Sequence, residues 1–525
     1  ELEKALVLAE DEINELHSIA EALSTVKDID KLLSLILKRC IDITVSDAGS
    51  LYLVDKNENG EKILRFMISD NFSLDIEAVR FTLPLDKTSI SGYVASTKQI
   101  LNIPDSYNLP KNVEYKHSKK FDEQYNYKTK SILTFPLINH KDEVIGVIQL
   151  VNKRINPGVL LSSPADTDKF AISYGHRDEK YVQSLGSQAA IVLENALLYD
   201  EIQKLFEGFI EASVKAIESR DPTTSGHSGR VAIYTVELAV AVSRSNQGKY
   251  SDINFSQQQI KEIRYASLLH DFGKVGVREN VLVKAKKLYP DQIDMIEWRI
   301  NYIKRDITAK YQLQKLEYLM KNQTADYSEY FAIMDKELDE KLLKLDTYLS
   351  EILRINEPTI LTQNDTGLLS EIQHYIYQDI NGQNKPLLSE SEILKLSIPK
   401  GSLDIQERKM IEKHVTHTFE FLSKIPWTRE LKDVPLIAYG HHEKLDGTGY
   451  PRELESSQIP VQSKMMTIAD IYDALTASDR PYKRAVPPEK ALDILGYEVK
   501  DGHVDGDLLD IFINKRIYQA TDRKQ

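Results

Sequence analysis

Apolar positions follow three different periods along the chain. Between about residues 33 and 151 they fall in short runs (50–54, 63–68, 132–137 and 144–151), apolar or alternating and separated by turn residues. That pattern predicts β-strands, with helix signals between them. Asn57-Glu58-Asn59-Gly60 predicts a hairpin turn, because Asn-Gly tolerates positive φ. Ahead of this block, Leu2, Leu6, Ala9, Ile13, Leu16, Ala20 and Leu23 recur at steps of four and three, a seam down one helix face. Behind it, Ile191, Asn195, Leu198, Ile202, Leu205 and Phe209 repeat that spacing. An asparagine inside such a seam fixes register and favours a two-stranded pair, so a parallel homodimer is expected. After Phe209 helical periods dominate, and the polar, Tyr- and Lys-rich stretch 288–398 reads as an inserted helical hairpin.

These periods predict a multidomain chain. It has a signalling helix over 1–27, an α+β sensor over 28–190 with an antiparallel sheet flanked by helices, a linker helix over 191–209 and an all-α domain over 210–525. Length agrees, since 525 residues exceed what one core of ~150 residues needs. Lys and Arg number 67 against 80 Asp and Glu, a net charge of −13, which argues against nucleic-acid binding. The single cysteine, Cys40, excludes an internal disulfide framework and fits a reducing compartment. No apolar run approaches the ~20 residues that span a bilayer, and no leader pattern opens the sequence. A cytoplasmic protein without a membrane partner is expected.

Histidine placement carries the chemistry. His270-Asp271 ends an apolar helix pattern and is followed by Phe272-Gly273-Lys274. Alone, such a dipeptide is more often a structural pair. His441-His442-Glu443 changes that balance, because paired histidines followed by the Gly-rich Asp446-Gly447-Thr448-Gly449-Tyr450-Pro451 suit a dinuclear metal site. His227, His414 and Asp470 are further candidates, each beside apolar helical positions where an unpaired polar group would be costly. Nitrogen and oxygen donors without thiolates suit iron or manganese better than structural zinc.

Together these motifs resemble the HD-GYP family of cyclic di-GMP phosphodiesterases, from Phe209 to Tyr518 with the insertion between. The resemblance implies that His227, His270, Asp271, His414, His441, His442 and Asp470 hold two divalent metals, with Asp271 and Lys274 in the catalytic centre. Lys274 would face the scissile phosphate. Arg480-Pro481-Tyr482-Lys483 would receive the dinucleotide through Arg480 and Lys483, beside Gly449 and Tyr450. Two bridged metals would lower the pKa of a shared water and clamp the phosphoryl oxygens, so a metal-bridging hydroxide would open cyclic di-GMP to pGpG or GMP. Thr223 stands where some members carry a glutamate that helps to hold a third metal, hence the expectation of two. Val415 follows His414 where proline is frequent.

The first half resembles a GAF domain of bacterial signalling proteins. Asn152-Lys153, Tyr174 and Asp178-Glu179 are similar to the Asn-Lys…Phe…Asp-Glu signature of cyclic-nucleotide-binding members, with Tyr174 in place of Phe. The resemblance implies a Lys153–Asp178 salt bridge shaping a pocket lid. Residues 88–94 and 102–107 would line the pocket, and a small molecule, with a cyclic nucleotide as candidate, would be the ligand. Two alternatives stay open: another nucleotide substrate (cyclic GMP-AMP or a guanosine polyphosphate), or a dinucleotide receptor that signals to a protein partner.

Overall fold

The computed structural model describes residues 28–74, 81–220, 226–322, 326–477 and 485–522. The seam expected over 2–23 lies outside them. The chain divides into two compact units, Glu1–Glu207 and Gly208–Gln525.

In the first unit a seven-stranded sheet has the order β3-β2-β1-β6-β5-β4, with β7 paired to β6. The strands are β1 Ser46–Lys56, β2 Lys62–Asn71, β3 Thr82–Pro84, β4 Leu101–Ile103, β5 Ile132–Ile138, β6 Val144–Arg154 and β7 Ala171–Ile172. Every pairing is antiparallel. The four runs expected to be strands are β1, β2, β5 and β6, and Gly60 takes φ +80° in the turn between β1 and β2.

Strand alternation sets the two faces. Leu51, Leu53, Leu133, Phe135, Leu137, Ile148 and Leu150 point one way, into a core shared with Leu32, Leu33, Ile36 and Leu37 of the Ile29–Thr44 helix. Val182, Leu185, Ala189 and Leu193 of the long His176–Arg220 helix complete it. Tyr52, Leu64, Phe66 and Val147 face the other way and pack with Val94 and Ala95. Each fully buried aliphatic side chain contributes about 1.5–3 kcal/mol. Gly49 lets a helix lie close, since a Cβ there would meet Leu37 Cδ1 at 2.9 Å.

The second unit is built from the helices His227–Ser243, Gln257–Leu269, His414–Leu422, Val434–Tyr439 and Val461–Thr476, with shorter ones around them. Residues between the second and third of these form a sub-structure with its own core. The Pro290–Lys321 and Ser328–Ile355 helices bring Ile296, Ile300 and Ile303 against Leu345, Tyr348 and Ile352. Leu369, Ile372, Leu387, Leu388 and Leu396 close the same cluster. This unit is not purely helical, as the helix-period reading expected. Ile376–Gln378 (β8) pairs with Asn384–Pro386 (β9) around a turn in which Gly382 has φ +76° and Asp379 Oδ1 accepts from the backbone N–H groups of Asn381 and Gln383. Three-residue strands are too short to show an alternating period, so only the Asn-Gly turn signalled them.

Candidate metal centre

Five chain segments deliver the candidate ligands, four of them at helix ends and the fifth, Asp470, from within a helix. His227 opens the His227–Ser243 helix, behind Gly226 at φ +67°. His270 and Asp271 follow the Gln257–Leu269 helix, whose start is capped reciprocally by Ser256 and Gln259. Lys274 lies in the 3-10 turn Phe272–Gly276. His414 starts the His414–Leu422 helix, His441 and His442 follow the Val434–Tyr439 helix, and Asp470 projects from Val461–Thr476.

These segments converge. His227 Nε2 is 3.2 Å from Asp470 Oδ1 and 3.7 Å from Asp271 Oδ2. His270 Nε2 is 3.4 Å from Asp271 Oδ2. The other oxygen of Asp271 is 3.2 Å from His414 Nε2, and the other oxygen of Asp470 is 4.0 Å from His442 Nδ1. Each carboxylate therefore spans two groups of histidines. His227, His270 and Asp271 form one group with ligand atoms within 4.8 Å of one another, and His414, His441 and His442 form a second. Lys274 Nζ lies 2.9 Å from Asp271 Oδ2.

Tautomers show that the site suits a cation. His270 Nδ1 donates to the Ser267 carbonyl at 2.7 Å, His414 Nδ1 to Ile411 at 2.6 Å and His441 Nδ1 to Ala438 at 2.6 Å. A carbonyl only accepts, so in each ring the proton sits on Nδ1 and the Nε2 lone pair is left over. Among the described residues, none offers any of these three buried Nε2 atoms a hydrogen bond. Native interiors rarely tolerate such groups, and three aimed at two bridging carboxylates fit a divalent metal centre.

Protonation agrees. Burial drives His441 far below its ordinary value and His442 down to about 4, so both rings stay neutral and able to ligate. His227 goes the other way. Burial opposes its charge, but hydrogen bonds to Asp470 and Asp473 outweigh that and lift it to about 9. Burial also works to raise Asp271, yet Lys274 and His270 hold it well below the carboxylate range.

Several supporting residues were not anticipated. Asp473 accepts from His227 Nδ1 at 2.8 Å and from Arg230 Nε at 2.6 Å, orienting the ring whose Nε2 faces the centre. It lies three residues beyond Asp470, hence on the same helix face, and that spacing was the available signal. Thr418 Oγ1 donates to the His270 carbonyl and accepts from the Gly273 N–H, joining two ligand-bearing segments. Glu443 is not a ligand. Its two oxygens accept from the backbone N–H groups of Arg452 and Leu454, both at 2.9 Å, so it fastens the following loop. Gly449 serves chain packing as well, because a Cβ there would meet Lys444 N at 2.3 Å and Glu443 Cα at 2.6 Å. The Tyr450 ring lies 4.8 Å from that of His442, whose side chain keeps 28% exposure. Arg480, Lys483 and Thr223 lie outside the described residues.

In the first unit, Lys153 Nζ meets both oxygens of Asp178, one at 2.6 Å. Asn152, at φ +54°, donates to Tyr127 Oη and accepts from Lys130 N. The Tyr174 hydroxyl pairs with Ser46 Oγ at 2.8 Å, and Glu179 accepts from Asn102 at 2.7 Å. These side chains join β1, β4, β6 and the start of the long helix.

Comparison with known proteins agrees with both units. Residues 28–193 match the GAF domain model and residues 390–508 the HD domain model. The second match begins beyond His227, His270 and Asp271, which the fold brings in from before the 290–396 sub-structure. The chain is 42% identical over 95 residues (18% of this chain, 20% of the relative) to the Vibrio cholerae "3'3'-cGAMP-specific phosphodiesterase 3". It is 37% identical over 164 residues (30% and 36%) to "3'3'-cGAMP-specific phosphodiesterase 1" of that organism. It is 23% identical over 313 residues (60% and 45%) to its "Probable cyclic di-GMP phosphodiesterase". The matched region spans less than half the length of each of these relatives. This chain therefore carries a GAF domain over residues 28–193, followed by an HD domain matched over residues 390–508.

Proposed function

We propose that this chain is a metal-dependent phosphodiesterase acting on a cyclic dinucleotide, under control of a small molecule bound by its GAF domain. The observation that carries this is the trio of buried Nε2 atoms of His270, His414 and His441, without a hydrogen bond among the described residues and gathered around Asp271 and Asp470. His227 and His270 would serve one divalent ion and His414, His441 and His442 a second, with Asp271 shared. The donor set favours iron or manganese. Such a pair supplies a low-pKa water and Lewis-acid stabilisation of phosphoryl oxygens.

The remaining steps belong to side chains. Lys274, held beside Asp271, offsets charge on the reacting phosphate. His442 and Tyr450 form the partly open side by which a substrate enters. Arg480 and Lys483 are proposed to take the distal phosphate or a guanine, and Gly449 to keep the intervening loop flat. For the substrate, the relatives at 37% and 42% identity carry cyclic GMP-AMP in their names, whereas the longer alignment at 23% carries cyclic di-GMP. This favours the mixed dinucleotide over the symmetrical one that the motifs alone implied.

Control would run through the His176–Arg220 helix, paired in a parallel homodimer. Ile191, Asn195, Leu198, Ile202, Leu205 and Phe209 are exposed on it, as a seam awaiting a second copy would be. The test is metal analysis of protein purified without oxygen, joined to turnover of 3'3'-cGAMP, cyclic di-GMP and a guanosine polyphosphate. The expected result is two ions per chain and a preference for 3'3'-cGAMP, both lost in His441→Ala. Metal-loaded protein that opens neither dinucleotide would overturn the reading.

A further inference from the structure

The Pro290–Lys321 helix is apolar on two faces. Ile293, Ile296, Ile300, Ile303 and Ile307 pack inward. Met295, Trp298, Tyr302, Leu313, Leu316 and Met320 are exposed, Trp298 by 74%, and Ala309 lies in line with them. At about 100° per residue this second set keeps to one narrow stripe, roughly opposite the first. A helix with two apolar faces belongs between two layers. Among the described residues of its unit the second face is covered at Tyr302, whose hydroxyl donates to the Gln378 carbonyl at 3.4 Å, while the rest of the stripe stays exposed.

The order of the stripe identifies the second layer. Counting outward from the midpoint between Arg305 and Asp306, Tyr302 mirrors Ala309, Trp298 mirrors Leu313 and Met295 mirrors Leu316, while Met320 at the far end mirrors Asp291. Two copies laid antiparallel about that midpoint set large residues against small or branched ones, each pair occurring twice as in an isologous twofold contact. Both halves of the helix carry acids and bases, so charge does not choose the orientation, but antiparallel pairing opposes the helix dipoles where parallel pairing aligns them. The exposed apolar side chains offer on the order of 600 Å² per copy, near the ~800 Å² that a stable interface buries.

We infer that this face of the Pro290–Lys321 helix is a self-association surface that binds the same face of a second copy in antiparallel register. The contact is independent of the 191–209 seam. In that register Arg305 lies next to its own counterpart. The test uses the full chain with Cys40→Ser, comparing Arg305→Cys with Leu343→Cys, a position exposed on the neighbouring Ser328–Ile355 helix. Mild oxidation is expected to cross-link Arg305→Cys at least tenfold faster.

Disrupting the seam with Leu198→Glu and Ile202→Glu separates the two contacts. In that background sedimentation is expected to show a concentration-dependent dimer, which Trp298→Glu with Leu313→Glu abolishes while circular dichroism is unchanged. Equal cross-linking at the two cysteines, or a mass unmoved by the glutamates, would overturn the inference. So would protection of Trp298 that arises only when a different protein is added.

Discussion

At the level of single residues, the centre separates side chains that would face a cation from those that aim them. Asp473 touches His227 on the ring nitrogen turned away from the centre, so Asp473→Asn should leave the fold intact and weaken metal binding by ~10–100-fold. Chelator competition measures this, and an unchanged affinity would reduce Asp473 to a structural role. Protonation gives a second prediction for metal-free protein. His441 and His442 titrate below their ordinary 6.5 when folded, His442 at about 4, so the unfolded chain takes up protons that the folded chain refuses. Their contribution to stability is complete above 6.5 and shrinks as pH falls toward 4. His227, raised to about 9, contributes fully below 6.5 and loses its share as pH climbs through 9. Thermal denaturation with chelator present should therefore show a maximum near pH 6.5, falling on both sides.

Secondary-structure elements add constraints that no single ligand reveals. The HD turn and the His414–Leu422 helix meet at Gly273, where a Cβ would stand 1.9 Å from the His414 carbonyl oxygen and 2.6 Å from Thr418 N. Backbone cannot yield as a flexible side chain can. Gly273→Ala should cost about 1–3 kcal/mol in denaturation and displace His414, lowering the metal content. Gly367 is the matched control. It sits inside the Gln363–Gln373 helix with nothing within 4 Å of its Cβ position, so Gly367→Ala should stabilise by about 0.5–1 kcal/mol. Loss at both glycines would show that close approach is not what Gly273 provides.

For the whole molecule, the prediction concerns assembly. The His176–Arg220 helix runs unbroken for 45 residues, and its apolar seam faces water in a single chain. Leu198→Glu with Ile202→Glu should raise the dimer dissociation constant at least tenfold by sedimentation and uncouple turnover from the GAF ligand. An Asn195→Leu variant that still responds to ligand would count against register as the signal. No helix among the described residues is long and apolar enough to cross a bilayer.

Much of this was readable from residue order, because secondary structure and its buried faces follow local period. The alternation of 50–54 and 144–151 located β1 and β6, and the three-and-four steps from Ile191 located a helix seam. The His-Asp and His-His pairs carried the metal chemistry, since few other reasons place paired imidazoles beside apolar runs. Other features depended on distance in space. Asp473 and Thr418 became partners of the centre only when helices over a hundred residues apart in sequence met. Gly449 and Glu443 were legible as motif members, but their role in fastening the loop needed its path through space. Residue chemistry and the resemblance of the motifs singled out, from sequence, the groups proposed to bind a cation. The tertiary structure decided which nitrogen of each ring is left over, because the partner that claims the other nitrogen is set by how the chain turns and packs.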